Sequence, residues 1–128
     1  MSTDAETSVN EFILKTNPFS LLRHYLEKFT TMEEAWEECT IGDWLLWCLA
    51  KLEVSGLVEY AQWCIEQYPK HSPVYPGVFD LLSQAEALET RDKPTTSLYV
   101  LHIACYTDQV RNVAEIKRRW GNPFRKEN

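Results

Sequence analysis

Residues 43–53 read Asp-Trp-Leu-Leu-Trp-Cys-Leu-Ala-Lys-Leu-Glu, and apolar side chains cover almost the whole circumference of a helix built from them. A helix that is apolar all round belongs at the centre of a bundle or beneath a partner. Helical rise carries such a stretch only about 16 Å, well short of the roughly 30 Å of a bilayer core. The expected place of this element is the middle of an all-α bundle, and the flanking segments have to surround it.

On the N-terminal side, Gly42 ends a turn and Asp43 is the expected cap. Thr31 and Glu34 have capping-box spacing, in which hydroxyl and carboxylate satisfy each other's backbone N–H, and they start a short acidic helix over 32–39. Met32, Ala35, Trp36 and Cys39 share one face of it, while Glu33, Glu34, Glu37 and Glu38 spread over the rest. Carboxylates near a helix start suit its dipole. Earlier still, Asn17-Pro18 opens a helix over 18–29, asparagine capping and proline fitting the first turn. Its Phe19, Leu22, Leu26 and Phe29 follow helical spacing. Ser8 and Glu11 repeat the capping box ahead of Phe12, Ile13 and Leu14, leaving residues 1–9 as an expected flexible tail.

On the C-terminal side, Ser55 caps a helix to Tyr68 that Pro69 stops. Residues 69–77 hold three of the six prolines and read as the longest loop. Pro76 starts a helix to about Glu89, and 91–94 break the chain. One long helix is then expected from Thr95 or Thr96 to Trp120, with Leu98, Leu101, Cys105, Val110, Val113, Ile116 and Trp120 facing inward. Gly121 and Pro123 terminate it. The fold class is all-α: one domain over 1–128, a compact bundle of six or seven short helices.

Composition narrows the function. A chain of 128 residues with 45% hydrophobic and 25% charged residues builds its own core and is not a disordered segment. A net charge of −6 argues against a generic nucleic-acid or membrane-surface binder. The charge is uneven, −10 over residues 1–92 and +4 over 93–128. No apolar run suits a membrane span, and the polar, acidic N-terminus is unlike a signal peptide. The four cysteines, at 39, 48, 64 and 105, form no C-x-x-C pair and are expected as reduced, mostly buried thiols.

Chemistry-bearing patterns are sparse. His102 and Cys105 stand three apart, sharing a helix face as metal ligands or a nucleophile and its base would. His24, His71 and the other cysteines are scattered, and the four glycines build neither a phosphate loop nor a nucleophile elbow. Catalytic residues, cofactor and metal are accordingly all assigned as none, a small Cys/His enzyme remaining the outlying alternative. Lys117, Arg118, Arg119, Arg125 and Lys126 beside Trp120 and Phe124 have the make-up of a phosphate-and-base site. The same cations suit a helix C-terminus, or docking on the protein's own acidic helices, so direct nucleic-acid binding is not expected. Helix start and stop chemistry accounts for the repeated Asn-Pro-Phe at 17–19 and 122–124.

The segment 31–47, with Ala35-Trp36-Glu-Glu-Cys39 leading through Gly42-Asp43 into Trp44-Leu-Leu-Trp47, resembles a motif of small helical bacterial and phage proteins of the immunity type. The ending Gly121-Asn-Pro-Phe-Arg125 is similar to theirs, so the resemblance spans about residues 30–126. It implies a bacterial or phage origin and a protein-binding role without catalytic residues. The expected function is a non-enzymatic inhibitor that neutralises another macromolecule, as a toxin-immunity protein or a phage-encoded inhibitor of a host defence such as CRISPR. Its expected location is the cytoplasm of the bacterial host cell. The expected partner is a protein with a basic surface (a toxin, nuclease or defence complex). Glu33, Glu34, Glu37, Glu38 and Asp43 are the expected contacts, with Trp36 or Trp44 as aromatic anchor and Arg118 and Arg119 as a second region. The alternative from another class is a self-associating assembly module, a homodimer.

Overall fold

The computed structural model describes residues 8–68, 75–105 and 107–125. Residues 1–7 of the expected tail, most of the proline-rich loop with His71, and Lys126 lie outside them. Among the described residues the chain forms eight helices: α1 (Val9–Thr16), α2 (Ser20–Leu26), α3 (Met32–Glu38), α4 (Gly42–Lys51), α5 (Leu57–Glu66), α6 (Tyr75–Leu88), α7 (Lys93–Ala104) and α8 (Gln109–Trp120). The all-α class stands, with more helices than the expected six or seven.

The extra helix comes from a break in the expected run to Trp120. The Asp108 carboxylate accepts from the N–H groups of Val110 and Arg111, opening α8 with a fresh N-cap. The Thr107 hydroxyl donates to Ala104 O at 2.7 Å, closing α7 behind it. Asp92 caps α7 by accepting from Thr95 N–H, with Pro94 in the first turn. At the other end of the chain, Ser8 accepts from Glu11 N–H as its cap. Val9 is buried and donates to Thr30 O at 3.0 Å, so this part of the expected tail belongs to the packed bundle.

The core forms around α4. Leu45, Leu46, Cys48 and Leu49 are buried, and α4 packs against α7 and α8. Gly42 lets α4 approach α8: a Cβ there would stand 2.7 Å from Asn112 Cβ. α5 and α6 close the far side of α7. The packing of α7 overturns its expected phase. Val100, Ile103 and Ala104 are buried, and Thr96 and Ser97 join them because their hydroxyls bond back to Asp92 O and Pro94 O. Leu98, expected inward, is 64% exposed, and Cys105 and Val110 are exposed with it. α7 is apolar on both faces, and the break at 105–108 resets the register that a continuous helix would have carried into α8.

The C-terminal residues strap the bundle. Gly121, at φ +61°, turns the chain back, and its carbonyl accepts from Trp36 Nε1 at 2.8 Å. Phe124 is buried, edge-on to Phe12 with centroids 5.5 Å apart and to Trp36 at 6.0 Å. Burying one such ring is worth roughly 1.5–3 kcal/mol, and each edge-to-face pair about 0.5–1.5 kcal/mol more.

Candidate functional site

The acidic face of α3 is partly occupied by the chain's own C-terminus. Arg125 reaches Glu33 Oε2 at 3.2 Å and Glu37 Oε2 at 3.0 Å. Asn122 Nδ2 donates to Glu33 O at 3.0 Å and Glu37 Oε2 at 2.9 Å, and Lys117 Nζ donates to Glu37 O at 2.9 Å. Glu33 and Glu37 are therefore not free contacts. Thr31 caps α3 as expected, its hydroxyl accepting from Glu34 N–H at 3.3 Å and donating to the Glu34 carboxylate at 3.4 Å, and Glu34 remains exposed, as does Glu38.

Trp36 is not an anchor for a partner: it is 2% exposed and its indole N–H is already bonded. Asp43 is half-buried in the α4–α8 contact. Its N–H donates to Gln109 Oε1 at 2.9 Å while Gln109 Nε2 donates to its carboxylate at 3.3 Å. Burial pushes the Asp43 carboxyl above its ordinary range, against the opposing Gln109 bond. Arg118 and Arg119 converge on Glu115 at 2.6 and 2.7 Å. The Arg118 hydrogen bond leads in holding the Glu115 carboxyl below its usual range. Arg118 and Arg119 thus pair within α8 itself, while Lys117 and Arg125 dock on the acidic helix α3, Lys117 through the Glu37 carbonyl and Arg125 through the Glu33 and Glu37 carboxylates.

Trp44 does face outward, as part of a feature that sequence reasoning missed. Phe19 stands edge-on to Trp44 and Trp47, with centroids 6.4 and 6.0 Å away, and Trp44 lies tilted on Tyr25 at 5.4 Å. Phe12 fixes the other side of Trp47 at 6.2 Å, and Tyr25 Oη donates to Ala35 O at 2.8 Å. Of these rings, Phe19, Trp44 and Trp47 line an open depression of about 620 Å³ together with Leu98 and Leu101 of α7 and with Asp43, His102 and Cys105. A second cavity of about 310 Å³ continues it past Ala50 and Lys51 against Pro94 and Ser97. A separate cavity of about 390 Å³ lies where the α4–α5 turn meets the start of α7, lined by Glu53, Leu57, Glu89 and Lys93 among others. Early α4 residues pair with late α7 residues and the reverse, so the helices run antiparallel along one trough. The sequence signal was the second apolar stripe of α7, Pro94, Leu98, Leu101 and Cys105 at 4-3-4 spacing.

Cys39, Cys48 and Cys64 are buried, and burial raises each thiol, Cys64 to about 11. Cys105 is exposed, yet burial also raises its thiol, which donates to His102 O at 3.0 Å. Among the described residues no three His, Cys, Asp or Glu side chains converge to hold a metal ion, and no helix is long and apolar enough to cross a membrane. Comparison with protein-family models, with curated proteins and with solved structures finds no match to this chain.

Proposed function

We propose that this chain is a non-enzymatic binding protein that inhibits or neutralises a macromolecule with a basic surface, as a toxin-immunity protein or a phage-encoded inhibitor of a host defence does. The observation that supports this reading is the internal use of the basic segment. Lys117, Arg118, Arg119 and Arg125 are all engaged by groups of the protein itself. Glu34, Glu38, Glu59 and Glu66 remain exposed, and among the described residues exposed carboxylates outnumber exposed cations. Such a surface speeds encounter with a basic partner and selects against acidic ones. The raised thiols fit a role in binding better than one in nucleophilic chemistry. The Arg125 pairs are exposed and worth about 1 kcal/mol or less, so a partner's guanidinium can displace them and recruit Glu33 and Glu37.

The test is capture of a stoichiometric partner from bacterial lysate, with wild type beside the double variant Glu34→Lys/Glu38→Lys. The reading expects one basic partner, released by salt and retained less by the variant. Recovery of no stoichiometric partner, or retention indifferent to both salt and charge reversal, overturns it.

A further inference from the structure

The trough between α4 and α7 has a chemistry of its own. Its middle is apolar, with Trp44 and Trp47 on one side and Leu98 and Leu101 on the other. Leu98 is 64% exposed, an outlay of apolar surface that the fold itself does not use. Both lysines beside the trough are engaged within the protein. Lys51 Nζ stands 5.0 Å from the centre of the Trp47 ring, and Lys93 Nζ donates to Glu53 O at 3.2 Å. The carboxylates at the ends are Asp43 at one, which accepts from Gln109 Nε2 alone, and Glu53 at the other, and neither forms an ion pair among the described residues.

Glu53 stands out for a second reason. It ends α4 in the left-handed conformation at φ +54°, with Val54 N–H bonded to Leu49 O in a Schellman turn. That position favours glycine, since a side chain there is strained. A carboxylate is kept at the trough's end against that local preference.

We propose that the trough docks an amphipathic α-helix of the partner, apolar face down, with lysine or arginine at both ends of the apolar stripe. Asp43 and Glu53 lie ten positions apart, about 15 Å along a helix, which sets the spacing of the partner's cations at two to three turns. A helix is favoured over a strand because its backbone groups are already paired, whereas an extended segment would bury N–H and C=O groups against apolar side chains. A second copy of the chain is disfavoured because it brings a net charge of −6 to a site framed by carboxylates. This inference rests on the proposed basic partner and specifies how that partner is held.

The experiment uses a fluorescently labelled Lys/Leu helical peptide of about 18 residues, its leucines at i, i+3, i+4 and i+7 positions, and a Glu/Leu counterpart. Anisotropy titrations are run on wild type, Leu98→Lys, Glu53→Gly and Glu34→Lys/Glu38→Lys. Leu98 is solvent-exposed, so Leu98→Lys is expected to keep its helical circular dichroism. The expected result is binding of the Lys/Leu peptide alone, weakened at least tenfold by Leu98→Lys and less than threefold by the α3 double variant. Glu53→Gly is expected to raise the melting temperature while weakening the peptide, because it relieves strain and removes a contact. If the α3 variant weakens binding and Leu98→Lys does not, the trough is not the site, although the basic-partner reading stands. Equal binding of both peptides, or of neither, overturns the inference. So does a wild-type dimer in sedimentation that Leu98→Lys dissociates, which makes the occupant a second copy.

Discussion

Gly42→Ala is the sharpest probe of how α4 is seated. The added methyl carbon would lie 2.7 Å from Asn112 Cβ, 3.2 Å from Gln109 Oε1 and 3.4 Å from Gln109 O. Asn112 is fully buried and its Nδ2 bonds Ala104 O at 3.3 Å and Thr107 Oγ1 at 2.8 Å, so it has nowhere to retreat. Overpacking of this kind costs about 1–3 kcal/mol, and the gain in helix propensity from glycine to alanine returns at most about 1 kcal/mol. The net expectation is a loss of about 1–2 kcal/mol, read as a melting temperature lowered by about 4–8 °C in thermal unfolding followed by circular dichroism. Gly77→Ala is the internal control: it is helical and exposed, with open space at its Cβ, and should stabilise by about 0.5–1 kcal/mol. In a double-mutant cycle, Asn112→Gly clears the clash while losing its own hydrogen bonds. The two changes should therefore couple by about 1 kcal/mol or more. A Gly42→Ala protein that melts at or above wild type would refute the close α4–α8 crossing.

Three further outcomes are expected. Leu49→Ala should cost about 2–5 kcal/mol in denaturant unfolding, whereas Leu98→Ala should cost under about 0.5 kcal/mol, because one is buried and the other exposed. Phe124→Ala should cost about 3–5 kcal/mol and alter Trp36 fluorescence, and a near-neutral effect would mean the C-terminal strap is not part of the core. Asp43 has a folded-state pKa raised by burial, so its contribution to stability is full below the unfolded pKa and is lost as pH rises through the folded one. Asp43→Asn, which keeps the Gln109 contact, should raise stability at pH 7 and flatten the pH profile just above the ordinary carboxylate range. Unchanged pH dependence would contradict that assignment.

What the sequence made legible was local. Ser8 and Thr31 cap their helices as their spacing to Glu11 and Glu34 predicts, and these caps are readable because they depend on neighbours within one turn. The stretch at 43–53 supplies Leu45, Leu46, Cys48 and Leu49 to the core, while its Trp44–Trp47 face opens on the trough. The cap at Asp108 carries the same kind of signal as those at Ser8 and Thr31, but apolar residues at helical spacing on both sides of it mimic one continuous helix, whose single stripe puts Leu98 inside. The engagement of Glu33 and Glu37 by the C-terminus is hidden from the sequence for a different reason. Arg125 lies 92 residues from Glu33 and 88 from Glu37, and no local pattern reports a pairing over that distance. The aromatic trough is likewise tertiary, since Phe19, Trp44 and Leu98 meet only after three helices have packed.

For the binding role itself, the deciding quantity is the association rate of the stoichiometric partner with wild-type protein across ionic strength. Charge-steered encounter should slow by about tenfold or more as the Debye length shrinks from about 10 Å at 0.1 M salt to 3 Å at 1 M, with dissociation changing far less. An association rate that stays flat across that range would contradict recognition of a basic surface by this acidic protein.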